Sequence, residues 1–452
     1  MSTEVFIPPR HEPPERVPGL LRGIVSLRGD VLRALPRIAF RREVMAVRVL
    51  RRQVVVVNHP EVVRDVFVTR GAIYGRKSHF KEQALSPVIG ESLFANHGPL
   101  WAARRPAVAR LLHPSGVDRF QPAFQDTGRV LLRDWRAGSA AGAVDVAPAL
   151  AAATLRIMLH AVFGPQVPED ESTAIAEAFS DYQSRVQVID LPHLVGLPSW
   201  TMGLQGVRAR RAANEIRRRV GRLIASGLGE GGLLPGMRAA RDEAGNPLLD
   251  EAGLLDEVAM MLLAGSETAA NALAWTLFLL ASDPRWQERV RAEAVAVLGD
   301  REPEAAELSR LSVNKAVLQE AMRLYPPVAI LARQATAPDR IRHWQLRPGD
   351  TLLCIPWLLH RQEAIWDAPH AFKPERFLPE NARSIPRFAY LPFGVGARVC
   401  AGAAFGMAEM QTLLAMLVRG FHFDPPEGPA PLPRFRLTLR PEGGMKLRLR
   451  PL

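Results

Sequence analysis

The stretch "LPFGVGARVCAG", residues 391–402, decides how the rest of the chain is read. It holds Cys400, one of only two cysteines in 452 residues. A buried structural cysteine is the ordinary expectation, and Cys354 in "TLLCIPW" reads that way. Cys400 differs in three respects. It stands just before a predicted helix, whose free N–H groups and dipole favour a thiolate. Gly394, Gly396 and Gly402 let the backbone turn tightly and approach something flat. Arg398, two residues away, offers a permanent cation to an anionic group.

A thiolate with an anion clamp beside it suits a haem, which takes one axial sulfur at iron and a guanidinium at a propionate. "FGVGARVCAG", residues 393–402, resembles the haem-binding loop of the cytochrome P-450 family, FxxGxRxCxG, with every fixed position present. Three further blocks stand in the family's order. "LQEAMRLYPP" supplies Glu320 and Arg323 as an ExxR pair, which at i, i+3 on a helix can meet. "FKPERF", residues 372–377, supplies Arg376. "AGSET", residues 264–268, resembles the family's oxygen-activation segment. Gly265 there costs a helix about 1 kcal/mol against alanine, so helix propensity alone does not select it. Ala264 and Thr268 share a helical face at i, i+4.

The resemblance covers essentially the whole chain and implies a mostly α fold with a smaller β part, a triangular helical body and a β-rich region enclosing haem b. It makes Cys400 the iron ligand, and Phe393, Gly394, Arg398, Gly402 and Ala264 haem neighbours. Trp101 and Arg105 match a WxxxR pair that meets the propionates; Arg333 is a further propionate arginine, and His97 either joins them or is only a polar loop residue. Glu320, Arg323 and Arg376 hold the cysteine loop in place and are not catalytic. Thr268 stands at the bound dioxygen, with Glu267 in the proton-delivery chain. The general alternative for Thr268 is a hydroxyl bonded back to a helix carbonyl.

The remainder of the chain is read outward from these blocks. The runs "EVMAVRVL", residues 43–50, and "QVVVV", residues 53–57, predict two strands joined by a turn at Arg51 and Arg52, with a short helix after Pro60. Residues 101–311 are predominantly helical in pattern, and short strands return after Ile330. A last helix is predicted from about Gly402 to Arg419, then a hairpin around Gly443 and Gly444. β-rich segments from both ends of the chain flank one helical body, which predicts a single haem domain over 1–452, with 1–25 an irregular Pro-rich lead and no fused reductase.

Two segments mislead. "GLGEGG", residues 227–232, matches GxGxxG but follows an Arg-rich helical segment and not a strand, so it reads as a loop. Residues 258–281 are long enough for a membrane span, yet Glu267 and Asn271 sit near the middle, which favours a helix buried inside the protein. The first twenty residues carry no apolar run for a signal peptide or span, and two cysteines build no disulfide framework, so a cytoplasmic protein is expected. An Arg-rich segment at 208–223 reads as the solvated face of a packed helix; it lacks interleaved aromatics for base stacking, so no nucleic acid is expected.

The expected function is that of a haem-thiolate monooxygenase. It activates dioxygen with two electrons from NAD(P)H, delivered by a separate ferredoxin or flavodoxin, and inserts one oxygen atom into a lipophilic substrate. An acidic donor suits the formal charge of +12. A fatty acid, a terpenoid or carotenoid, or a polyketide-like skeleton fits the apolar residues that the family places at the pocket: Phe80, Val88, Ile89, Phe94, Val328, Ala329 and Ile330. The rival readings are a peroxide-driven peroxygenase or isomerase on the same fold, or a non-catalytic haem-based ligand binder. A monomer is expected.

Overall fold

A computed structural model describes residues 5–15, 30–49, 52–77, 79–139, 142–186 and 204–452. The valine runs form β1 (Val44–Val49) and β2 (Arg52–Val57), paired antiparallel with Val49 opposite Arg52. Arg52 therefore opens the second strand and is not part of the turn; Arg51 lies outside the described residues. β3 (Arg76–Lys77), β4 (Leu331–Gln334) and β5 (Thr351–Cys354) complete a sheet of order β1-β2-β5-β4-β3. β2 and β5 run parallel, although they are far apart in sequence, so distant segments of the chain meet in this sheet.

The helical body contains α1 (His79–Ile89), α2 (Gly98–Leu111), α3 (Gln121–Ser139), α4 (Val146–Phe163), α5 (Glu169–Arg185), α6 (Leu204–Ala225), α7 (Glu251–Ser282), α8 (Pro284–Leu298), α9 (Ser312–Leu324) and α10 (Ala403–Gly420). α7 is the axis of this body. Its N-terminus is capped by the Asp250 carboxylate, which accepts from Gly253 N–H at 2.7 Å. Nearly all of α7 is buried, apolar and polar residues alike. α4 lies along it, and Gly265 explains how closely: a Cβ there would stand 2.5 Å from Met158 Sδ on α4. Glycine is chosen at that point for helix–helix approach, at the expense of helix propensity.

Among the described residues only α4 is long and apolar enough to cross a membrane by length and composition, and 61% of it is buried inside the protein. The expected C-terminal hairpin around Gly443 and Gly444 is not what forms. Leu439–Pro441 pairs back on Pro433–Phe435, while Lys446–Pro451 joins Phe421–Asp424 and Ala143–Asp145 in a separate sheet. Gly444, at φ 92°, packs where a Cβ would meet the Asp145 carboxylate at 2.2 Å, and Met445 N–H donates to that carboxylate at 2.9 Å. The double glycine crosses from one sheet to another, and no sequence pattern distinguishes that from a hairpin turn.

Candidate active site

The loop 391–402 is held at both ends. At its start Leu391 N–H donates to His360 Nε2 at 2.8 Å, and the neighbouring Tyr390 hydroxyl donates to Gln319 O on α9 at 2.9 Å. At its end Cys400 N–H donates to Phe393 O at 2.8 Å. Between them Gly396, at φ 71°, comes so near the 65–69 turn that a Cβ would stand 2.2 Å from Phe67 O. No other residue fits there. His360 is fully buried, and burial between two arginines holds its ring far below the usual range, at about 3. It is a neutral acceptor for the loop, a role without any sequence motif.

Cys400 is accessible on one side. Burial nevertheless pushes its thiol up, against the Gly402 N–H and the charges of Arg105 and Lys77, which pull it down. The thiolate expected from the helix terminus is thus not favoured by the protein alone, and metal coordination is what deprotonates such a thiol. The cations acting on the sulfur are Arg105 and Lys77.

Beneath the loop the acid–arginine cluster is assembled. Arg323 meets Glu320 through Nε and Nη2, both at 2.7 Å, and both residues are completely buried. Arg323 also donates to His360 O, Pro369 O and Ala371 O. Lys373 N–H closes on Glu320 Oε1 at 2.8 Å, and Arg376 Nε stands 3.6 Å from the same oxygen. Arg376 spends its other bonds on Asp367 O and Ala368 O.

On α7, Ala264 is exposed and Thr268 partly so, although the helix on either side is buried. This opening in an otherwise packed helix marks one wall of the site. Thr268 Oγ1 donates to Ala264 O at 2.8 Å. Glu267, only 7% exposed, points to the hairpin 433–441, where it takes the Thr438 hydroxyl at 2.6 Å and an ion pair from Arg440.

A cationic wall faces the loop. Arg105 Nη2 donates to Val399 O at 2.6 Å, and Arg398 lies over the Trp101 ring at 4.2 Å. Arg333 is buried, and burial brings its guanidinium down to about 10. Among the described residues no carboxylate pairs with it; it donates to Ala332 O at 3.0 Å. The sheet register sets Lys77 directly opposite Arg333, so both side chains leave one face. Like charges directly opposite destabilise a sheet unless an anion lies between them. Lys77 also covers the Phe94 ring at 3.1 Å from its centroid. Sequence reasoning missed Lys77, because only the strand register brings it to Arg333.

The remaining expected residues are placed less directly. His97 is exposed at the N-terminus of α2 and makes no capping bond. Val88, Ile89 and Ala329 are buried to 1% or less, so they back the pocket wall instead of facing it, while Ile330 is 8% exposed and Val328 partly open. The Phe80 side chain lies outside the described residues. A hollow of about 200 Å³ lined by Val117, Leu308, Lys315 and Met407 opens on another side of α10 and contains none of these groups.

A single sulfur donor suits a metal whose other ligands come from a macrocycle: among the described residues no cluster of three or more His, Cys, Asp or Glu could hold an ion by itself. The buried Arg333 and the half-buried Arg105 suit that macrocycle's carboxylates. The residues present therefore fit a haem. The family model for cytochrome P450 matches residues 39–449. The chain belongs to the cytochrome P450 family. It is an oxidoreductase of a haem-binding family. Cyclooctatin synthase of Streptomyces melanosporofaciens is 29% identical, over 84% of this P450 and 83% of that protein. Cyclooctat-9-en-7-ol 5-monooxygenase of the same organism is 27% identical over 92% of each. The heme domain of cytochrome P450DA superposes with a TM-score of 0.83 at 23% identity, covering 99% of this P450 and 98% of that chain, a likeness of fold.

Proposed function

We propose that this P450 is an external-donor monooxygenase that hydroxylates a lipophilic, cyclic terpenoid-like skeleton. The observation that carries the reading is Cys400: a lone accessible sulfur on a loop held by His360, whose carbonyl is in turn held by Arg323. Bound haem supplies the reductive activation of dioxygen. Cys400 Sγ would ligate its iron, and Arg105, Arg333, Arg398 and Trp101 would hold its carboxylates, with Lys77 adding charge on the same side. Thr268 presents a hydroxyl at the opening, and its Oγ1 and the Glu267 carboxylate would be the atoms that hold and pass the proton. The apolar wall orients substrate and excludes water. Per turnover, substrate C–H, dioxygen, NAD(P)H and a proton become the alcohol, water and NAD(P)⁺.

The terpenoid-like class rests on the relatives, one of which is named for a cyclic alcohol, and on the apolar residues at the pocket. An acidic ferredoxin or flavodoxin suits the charge of +12. The test is turnover of cyclooctat-9-en-7-ol, followed by mass spectrometry, with a surrogate ferredoxin, its reductase and NADPH. A singly oxygenated product supports the proposal. Product with hydrogen peroxide but none with the reduced ferredoxin moves the protein to the peroxide-driven alternative.

A further inference from the structure

A hairpin clasps the Glu267 carboxylate. Glu267 Oε1 takes two donors from one hairpin: the Thr438 hydroxyl at 2.6 Å and the Arg440 guanidinium. Asn271, one turn further along α7, donates to Thr438 Oγ1 at 3.1 Å. The hairpin is therefore bound to α7 at the segment that carries Thr268. It is also bound to the pocket. Leu439 N–H donates to Pro327 O at 2.9 Å, next to Val328, and Arg436 donates to Ser184 O on α5. Arg440 itself keeps 27% of its side chain exposed, so the outer end of the ion pair reaches solvent.

We propose that Arg440, acting with Thr438, is the positioning residue for Glu267, and that it ties proton supply at Thr268 to the state of the hairpin bonded to Pro327. The inference rests on the monooxygenase reading above. A carboxylate that passes a proton must stay within hydrogen-bond reach of the accepting group. α7 fixes only the Glu267 backbone; its carboxylate is located by the hairpin. A substrate that presses on Val328, beside the Pro327–Leu439 bond, moves the hairpin, and Thr438, Arg440 and the carboxylate with it. When protons fail to arrive, dioxygen and NAD(P)H with one proton yield hydrogen peroxide and NAD(P)⁺ in place of alcohol and water.

The experiment uses haem-loaded Arg440→Ala, Arg440→Lys and Glu267→Gln proteins with cyclooctat-9-en-7-ol and the surrogate ferredoxin system. Product, peroxide and NADPH consumed are measured together, with the solvent isotope effect. Amide hydrogen exchange over 433–441 is followed independently, with and without the alcohol. Arg440→Ala is expected to lower product per NADPH several-fold, raise peroxide to match, enlarge the solvent isotope effect and speed exchange in the hairpin. Turnover driven by added hydrogen peroxide, which brings its own protons, should fall far less, and Arg440→Lys should restore most of the coupling. If Glu267→Gln uncouples and Arg440→Ala does not, the positioning role is wrong and the proton role of Glu267 stands. If neither uncouples, both fall. Weakened binding of the alcohol with unchanged product per NADPH would make the clasp purely structural and overturn the proposal.

Discussion

Cys354 and Cys400 share a side chain and little else. Cys354 is fully buried on β5, where burial pushes its thiol up to about 12, while Cys400 opens onto the site. That difference was legible, because the glycines and the arginine around Cys400 have no counterpart around Cys354. Which cation faces the sulfur was not. Arg398 is near in sequence, but Arg105 and Lys77 act on Cys400 through α2 and β3, and only tertiary structure brings those there. His360 was equally invisible, since its function is one acceptor atom. It makes a prediction. Its ring titrates at about 3 when folded against an ordinary 6.5, so the folded state binds fewer protons between those values. The stability this confers is lost as pH falls from 6.5 towards 3. His360→Gln, which keeps an acceptor and cannot charge, should flatten the pH dependence of urea unfolding in that window. Glu257 has the opposite sign. Burial, against Leu93 N–H, Arg104 and with the help of Asp256, raises its carboxyl from 4.5 to about 7. The folded state binds more protons there, so stability falls as pH rises from 4.5 to about 7. Relative to the native protein, Glu257→Gln should gain on the order of 3 kcal/mol between pH 4.5 and pH 8, an upper bound set by 1.36 kcal/mol per unit. Equal offsets at both pH values would contradict this.

Among elements, α7 and α9 were readable from apolar periodicity and motif spacing, and the C-terminal strands were not. Short strands near glycines pair by tertiary contact, so the pairing of Lys446–Pro451 with Phe421–Asp424 lay beyond any local pattern. The Glu320 cluster shows a finer limit. Its membership is written in the sequence, yet the two arginines carry unequal weight. Glu320 is completely buried and receives Arg323 twice and Lys373 N–H, whereas Arg376 stands 3.6 Å away and leans on carbonyls. Glu320→Ala should cost about 3–5 kcal/mol, because it leaves Arg323 buried without a counter-charge. It should yield little haem-loaded protein. Arg376→Ala should cost clearly less and still load haem. Thermal melts and haem content of the purified variants decide it, and equal losses would show that the arginines share the load. Gly396→Ala is a second test at this scale: φ 71° and a Cβ at 2.2 Å from Phe67 O should unseat the cysteine loop and abolish haem loading while the far-ultraviolet helix signal remains.

Across the whole molecule, the Pro-rich lead has more to do than its composition suggests. Of the lead expected over 1–25, residues 1–4 and 16–25 lie outside the described residues, and residues 5–15 strap the body: Phe372 N–H donates to Phe6 O at 2.9 Å, the Tyr325 hydroxyl to Pro9 O at 2.7 Å, and Arg37 N–H to Pro14 O at 2.9 Å. His11 Nε2 also meets Pro433 O at 2.8 Å, at the start of the hairpin that clasps Glu267. Prolines restrict the unfolded chain and leave carbonyls free to accept, so such a strap forms at low entropic cost. Removing residues 1–15 should lower the melting temperature and speed hydrogen exchange in the hairpin, with haem content retained; an unchanged melt would show that the strap adds nothing. The sheet, the buried α7 and the anchored loop all converge on one sulfur atom. The most direct measurement is the absorption spectrum of the reduced protein under carbon monoxide, for the native chain and for Cys400→Ser and Cys354→Ser. The native protein and Cys354→Ser should show the red-shifted Soret band of a thiolate-ligated carbonyl haem, and Cys400→Ser should lose it. A thiolate band that survives in Cys400→Ser, or its absence from the native protein, would contradict the assignment of Cys400 as the haem ligand.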